Sequence, residues 1–250
     1  GKAPALGSVH RQPLLGATME KIAAEGRETF YKGEIAEDLV SHLRELGGLH
    51  TLEDFAATCG EYVEPIKTSY KGYDVHECPP NGQGVIALLL LNMLSEFDLT
   101  AMEAMSAERL HLEIEATRLA YQARDAHVAD PAQVEVPVEM LLSKDFAAEL
   151  RAKIDLKRAS VPPAQAPVAA HADTVYISVV DKDRNAVSFI NSTFSSFGSG
   201  ITGPKSGVVL QNRGMAFSVD PNQPNCIAPG KRPMHTIIPG MVTGGERPIL

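Results

Sequence analysis

The chain has 250 residues, 44% of them hydrophobic and 22% charged, which supplies enough apolar material for one large core or two modest ones and excludes a disordered or fibrous protein. Its 23 basic and 31 acidic side chains leave a formal charge of -8, which argues against a nucleic-acid partner, because phosphate binding needs a concentrated basic face. Cys59, Cys78 and Cys226 are far apart and lack CxxC spacing, so neither a disulfide framework nor a zinc or redox motif is expected.

In chain order, residues 1–16 lack a charged start followed by an apolar stretch, so no secretion signal is read there and a cytoplasmic location is expected. Helical signals run over Met19–Phe30, over Ile35–Leu46 with Gly47-Gly48 as a stop, and after Thr51, where Glu53-Asp54 suits a helix start. Tyr62–Cys78 carries β-type residues around Lys71-Gly72 and predicts a hairpin, closed by Pro79-Pro80-Asn81-Gly82. The longest apolar run, Val85–Leu91, is far shorter than the roughly 18 to 20 residues of a membrane span, so no membrane partner is expected. Ser106–His127 predicts a long helix with Leu110, Ile114, Thr117 and Tyr121 on one face, stopped by Asp130-Pro131.

Arg158–Ala172, with Pro162, Pro163 and Pro167 among small residues, reads as a linker. Beyond it, Thr174–Val180 and Ala186–Asn191 flank the polar turn Asp181–Asn185 as a hairpin, and Val208–Gln211 and Thr236–Val242 are further strand candidates. The expected organisation is a helix-rich part, 1–173, ending in a linker at 158–173, then a β-rich part, 174–250.

Two motif matches fail on context. Gly198–Gly203 fits GxGxxG, but Pro204 and a following strand pattern leave no helix N-terminus to hold a pyrophosphate. Asp181, Asp183 and Asn185 mimic the start of a calcium loop, but Ala186 stands where glycine is needed and Ser192 where a bidentate glutamate is needed. The eight histidines show no HExxH or HxH spacing, so no metal and no cofactor are expected.

Thr174 opens the β-rich part directly after the linker. A threonine hydroxyl becomes a competent nucleophile when its residue begins a chain, because the neighbouring α-amine, with a pKa near neutrality, can take its proton. Cleavage of Asp173-Thr174 would create that arrangement, although a threonine at a strand start is also an ordinary β-former. Asp173–Val187 and Phe197–Ile201 resemble the small-subunit start of the γ-glutamyltranspeptidase family. Tyr31-Lys32-Gly33, Gly47-Gly48-Leu49, Asp54-Phe55, Pro79-Pro80, Glu115-Ala116, Asp130-Pro131 and Lys231-Arg232-Pro233 fall in that family's order.

The resemblance implies an α+β fold, the four-layer αββα sandwich of N-terminal-nucleophile hydrolases. It also implies a precursor cut at Asp173-Thr174 into a large and a small subunit that stay together as a heterodimer acting on a small-molecule amide. Thr174 takes the nucleophile's place, and Ser192 the place of a threonine whose hydroxyl contacts it. Ser192 could equally be an ordinary residue at a strand end.

Departures from the family pattern fall in the substrate-binding positions. Phe194 replaces an asparagine, Arg213 and Ala216 replace a glutamine and the aspartate that meets a substrate ammonium, and His235 and Thr236 replace two serines that bind a carboxylate. Arg213 suits a carboxylate by paired hydrogen bonds, so an acid amide without an α-amine is one expected substrate, as in the branch with oxamate amidohydrolase and cephalosporin-acylase-like enzymes. A structural arginine is the other reading. The family's large subunit starts upstream and its small subunit continues beyond Leu250 to a paired-glycine oxyanion loop, so a partial copy lacking both ends is expected. Gly244-Gly245 is not assigned that role. A self-processed hydrolase and an inactive homologue with a binding role both stay open.

Overall fold

The computed structural model describes residues 3–160, 174–245 and 247–249, so Asp173 and most of the expected linker lie outside the described residues. The described residues form two units: the chain up to Tyr62 with Thr193–Asn212, and Val63–Ser192 with the chain from Arg213 onward. The structure is mixed helix and sheet.

In the first unit, glycines divide what the residue pattern suggests is one helix. Gly26, at φ 81°, separates α1 (Pro13–Glu25) from α2 (Arg27–Tyr31), and α3 follows at Glu34–Glu45. α3 buries Ile35, Ala36, Leu39, Val40 and Leu43, with Glu34 and Glu37 in its first turn and His42 and Arg44 in its last, which complements the helix dipole. Thr51 and Asp54 form a reciprocal capping box that starts α4 (Leu52–Ala56). Buried Asp38 on α3 accepts from the backbone amides of Ser206 at 2.8 Å and Lys205 at 3.2 Å, and Thr18 donates to Ser206 O at 2.8 Å.

In the second unit, Lys71 (φ 52°) and Gly72 (φ 87°) turn β1 (Ile66–Tyr70) into β2 (Tyr73–Glu77) with Tyr70 opposite Tyr73. A four-stranded antiparallel sheet runs β1-β2-β5-β6, with β5 at Met241–Gly244 and β6 at Arg247–Pro248. The core lies among α5 (Gly84–Leu94), α6 (Ala107–His127), α7 (Val138–Leu142) and α8 (Lys144–Arg151), where Leu89, Met93, Leu112 and Leu141 are fully buried. β3 (Thr174–Val180) and β4 (Ala186–Ser192) form a separate two-stranded sheet.

Three expectations change. The stripe Leu110, Ile114 and Tyr121 is 37%, 51% and 45% exposed, and α6 instead buries Leu112, Glu115, Ala116, Ala120 and Ala123. Alanine lets the backbones of α5 and α6 approach closely, which outweighs the bulk of the opposite stripe. Val208–Gln211 makes a single bridge, Thr202 with Val209, because positive-φ Gly207 turns the chain there. Strand structure within Thr236–Val242 starts only at Met241, since Pro239 cannot donate to a ladder.

Asp130, 1% exposed, accepts from the backbone amide of Arg232 at 2.8 Å and from its guanidinium at 2.9 Å. Burial pushes its carboxyl up, but these bonds outweigh it and leave the group below its ordinary value of 3.8. A lowered carboxyl stabilises the fold above the unfolded value and loses that contribution as pH falls through it. Asp130→Asn is therefore expected to cost about 1.5 to 3 kcal/mol at neutral pH and progressively less on acidification. Urea denaturation at pH 7 and pH 3.5 measures it, and an equal loss at both would contradict the assignment.

Candidate active site

The turn between β3 and β4 is built by one acid. Asp181 accepts from the amides of Asp183 at 2.9 Å and Asn185 at 2.8 Å and from the Asn185 side chain at 2.8 Å, while Arg184 takes φ 68°. The tight five-residue turn sets a register in which Val180 faces Ala186 and Thr174 faces Ser192. Opposed residues share a face, and Thr174 Oγ1 donates to Ser192 Oγ at 2.9 Å. On the same face, the Tyr176 hydroxyl lies 2.5 Å from Ser188 Oγ and reaches the Gly240 carbonyl at 3.4 Å. Tyr176 has no place in the sequence expectation, although its period-two spacing from Thr174 puts it on that face.

A second cluster gathers around Arg213, which is 6% exposed and sits in a short 3-10 turn, Arg213–Ala216. Its Nη1 donates to Thr236 Oγ1 at 2.5 Å. His235 Nδ1 accepts from the amide of Ile237 at 3.2 Å, which leaves the proton of the neutral ring on Nε2. Burial, helped by the positive charge of Arg213, lowers the His235 pKa from 6.5 to about 4. Burial also lowers Arg213, but a guanidinium keeps its charge at any physiological pH. The corner therefore combines one cation, one hydroxyl and one neutral imidazole.

The expected site residues thus fall into two groups in the second unit, Thr174 with Ser192 and Arg213 with Thr236 and His235. Phe194 belongs to the first unit, with φ 78°. Ala216 lines a cavity of about 410 Å³ with Arg124, Asp125 and Asp220. The acids there are engaged: Asp125 pairs with Arg124 at 2.8 Å, and Asp220 accepts from the amide of Asn222 at 2.9 Å. Among the described residues, no cluster of three or more histidine, cysteine or acidic side chains could hold a metal ion.

Thr174 and Ser192 thus present a hydroxyl pair at the start of a strand, and Arg213 and Thr236 a second polar cluster in the same unit. The Gamma-glutamyltranspeptidase family model matches residues 1–250, and the chain belongs to that family. It is 42% identical over 248 residues to the glutathione hydrolase-like YwrD proenzyme of Bacillus subtilis, covering 99% of this chain and 46% of that protein. It is 37% identical over 242 residues to the oxamate amidohydrolase proenzyme of Klebsiella pneumoniae, covering 96% of this chain and 44% of that one. The crystal structure of cephalosporin acylase from Bacillus halodurans superposes with a TM-score of 0.89 at 41% identity, over 99% of this chain and 45% of the acylase chain. The chain spans less than half the length of each.

A histidine whose folded pKa lies below its unfolded value stabilises the fold above about pH 6.5 and loses that contribution as pH falls. The ring of His235 is expected to stay neutral from pH 8 to about pH 5, with its Cε1–H resonance flat over that range in NMR titration. A midpoint above pH 6, assigned by comparison with His235→Gln, would contradict the corner described.

Proposed function

We propose that the chain is the central part of a self-processing amide hydrolase that cuts itself at Asp173-Thr174 and then acts through Thr174. The observation that carries this is the hydrogen bond of Thr174 Oγ1 to Ser192 Oγ at 2.9 Å at the first residue of β3. Thr174 Oγ attacks the Asp173 carbonyl carbon, the peptide C–N bond breaks, and the proton leaving the hydroxyl ends on the freed Thr174 nitrogen. Water then hydrolyses the ester, leaving the Asp173 carboxylate and a free Thr174 α-amine. In turnover that amine takes the hydroxyl proton, Oγ forms an acyl ester with the substrate, the amine product leaves, and water or an amine acceptor releases the acyl group.

The products of self-cleavage are a large and a small subunit that remain a heterodimer. The family's four-layer αββα sandwich suits β3, whose Val175, Ile177 and Val179 on one face and Tyr176 and Val180 on the other are all exposed in the isolated hairpin. A strand apolar on both faces needs cover on both. The uncovered hairpin and the chain's share of its relatives' length both fit a partial copy.

For the acyl donor, the Arg213–Thr236–His235 corner favours a carboxylate, and Ala216 itself offers no carboxylate to an α-ammonium. A carboxylated amide without an α-amine, such as oxamate or a glutaryl amide, fits better than a γ-glutamyl compound. A substrate ammonium left without a charged partner costs on the order of several kcal/mol unless water stays to solvate it.

The full-length protein is expected to run as two bands on a denaturing gel, the smaller starting Thr-Val-Tyr-Ile-Ser. Thr174→Ala is expected to fold and stay as one band, and Ser192→Ala to slow cutting by about 1 to 3 kcal/mol of barrier. An uncut wild type would favour the inactive-homologue reading, and a cut Thr174→Ala would remove the nucleophile assignment. For specificity, kcat/KM is expected to be higher for oxamate or a glutaryl amide than for a γ-glutamyl anilide, and Arg213→Ala is expected to abolish that preference. An unchanged ratio in the variant would remove Arg213 from the role.

A further inference from the structure

The loop after β2, Cys78–Gln83, and the segment Pro233–Gly240 before β5 are tied together as a double loop. Asn81 Nδ2 donates to Pro233 O at 2.7 Å, the His235 amide donates to Asn81 O at 2.8 Å, and the Gln83 amide donates to His235 O at 2.9 Å. Thr236, which accepts from Arg213, therefore rides on this double loop. At its base sits Glu77, the last residue of β2, only 7% exposed and with no hydrogen bond to Oε2.

Two glycines grip its side chain. A Cβ at Gly84 would lie 2.7 Å from Glu77 Cβ and 2.9 Å from Oε2, and one at Gly240 would lie 2.8 Å from Oε1. Gly84 opens α5 and Gly240 precedes β5, so each marks where one half of the double loop ends. We propose that Glu77 is a positioning residue: wedged between Gly84 and Gly240, it sets the spacing of the double loop and so the place of Thr236 against Arg213 and a bound acyl group. The acyl-group part rests on the carboxylated-amide reading above.

The wedge works while the carboxyl carries a proton. Burial pushes the Glu77 pKa from 4.5 up to about 7. The surrounding ionisable groups do not offset this. Lys67 on β1 pairs with Asp74 on β2 at 2.8 Å, and His76 on β2 meets Thr243 at 3.0 Å. Tyr70 and Tyr73 lie at the far end of the hairpin, His235 on the double loop is neutral, and α5 and β5 carry no ionisable side chain. Cys78 feels the charge in turn, since burial and then Glu77 raise its thiol. An ionised carboxylate needs donors or water, and buried Oε2 has no hydrogen-bond partner, so ionisation favours a parting of the two halves that lets them in. Parting moves the acyl-binding corner, whereas Thr174 and Ser192 stay paired by the β3–β4 register.

The test uses the full-length processed protein with oxamate as substrate. KM is expected to rise roughly threefold to tenfold from pH 6 to pH 8.5 with a smaller change in kcat, and Glu77→Gln, which keeps shape without ionising, is expected to flatten that rise. Glu77→Ala is expected to raise KM at every pH. An identical KM profile in wild type and Glu77→Gln overturns the proposal. If oxamate is not turned over, thermal melts decide: a folded carboxyl raised above its unfolded value loses stability as pH climbs from about 4.5 to about 7. A fall in wild-type melting temperature over that window that is absent in Glu77→Gln supports the wedge, and parallel curves overturn it whatever the substrate.

Discussion

The site depends first on the register of one hairpin. Because side chains alternate across a strand, a slip of one residue would send Thr174 and Ser192 to opposite faces and separate their hydroxyls. β3 is exposed along its whole length and picks no face by itself, while β4 alternates, with Ala186, Ser188, Ile190 and Ser192 on its half-buried face. Asp181 does the work by accepting from two amides and one side-chain amide within the turn, which fixes the loop length and hence the pairing seven residues away. The chemistry at Thr174 is thus set by a polar turn at the opposite end of the hairpin.

The second cluster follows a different rule, the cost of burying charge. Arg213 is nearly inaccessible, and a second cation beside it would be repelled in surroundings of low dielectric. His235 therefore stays neutral, and its Nδ1 is committed to a backbone amide. The corner holds the Arg213 guanidinium against the Thr236 hydroxyl, with the neutral His235 ring beside them on the same segment.

The residue pattern showed some of this directly. Gly47, Gly72 and the Thr51–Asp54 capping box mark element ends because their conformations or bonds are local, and the β3–β4 hairpin was legible from its turn. α5 carries no helical period because it is apolar on nearly every side, and the buried face of α6 is hidden by its alanines, which pack without looking hydrophobic. The pairing of Arg213 with Thr236 spans 23 residues and leaves no periodic trace, and the family resemblance pointed to each residue separately but not to the bond between them. Glu77 left none at all, because an acid at a strand end is ordinarily a surface residue.

The hydroxyl pair also bears on how one threonine could serve both proposed reactions. In the uncut chain the Thr174 nitrogen is an amide and cannot accept a proton, and the hydroxyl is oriented by the bond it donates to Ser192. Serine is too weak a base to remove that proton, and its part in the first reaction is to hold Oγ in place while the peptide bond behind it is attacked. Self-cleavage then exposes an amine with a pKa near neutrality on the same residue. The second proposed reaction therefore starts from the same oxygen with a base that the first lacked.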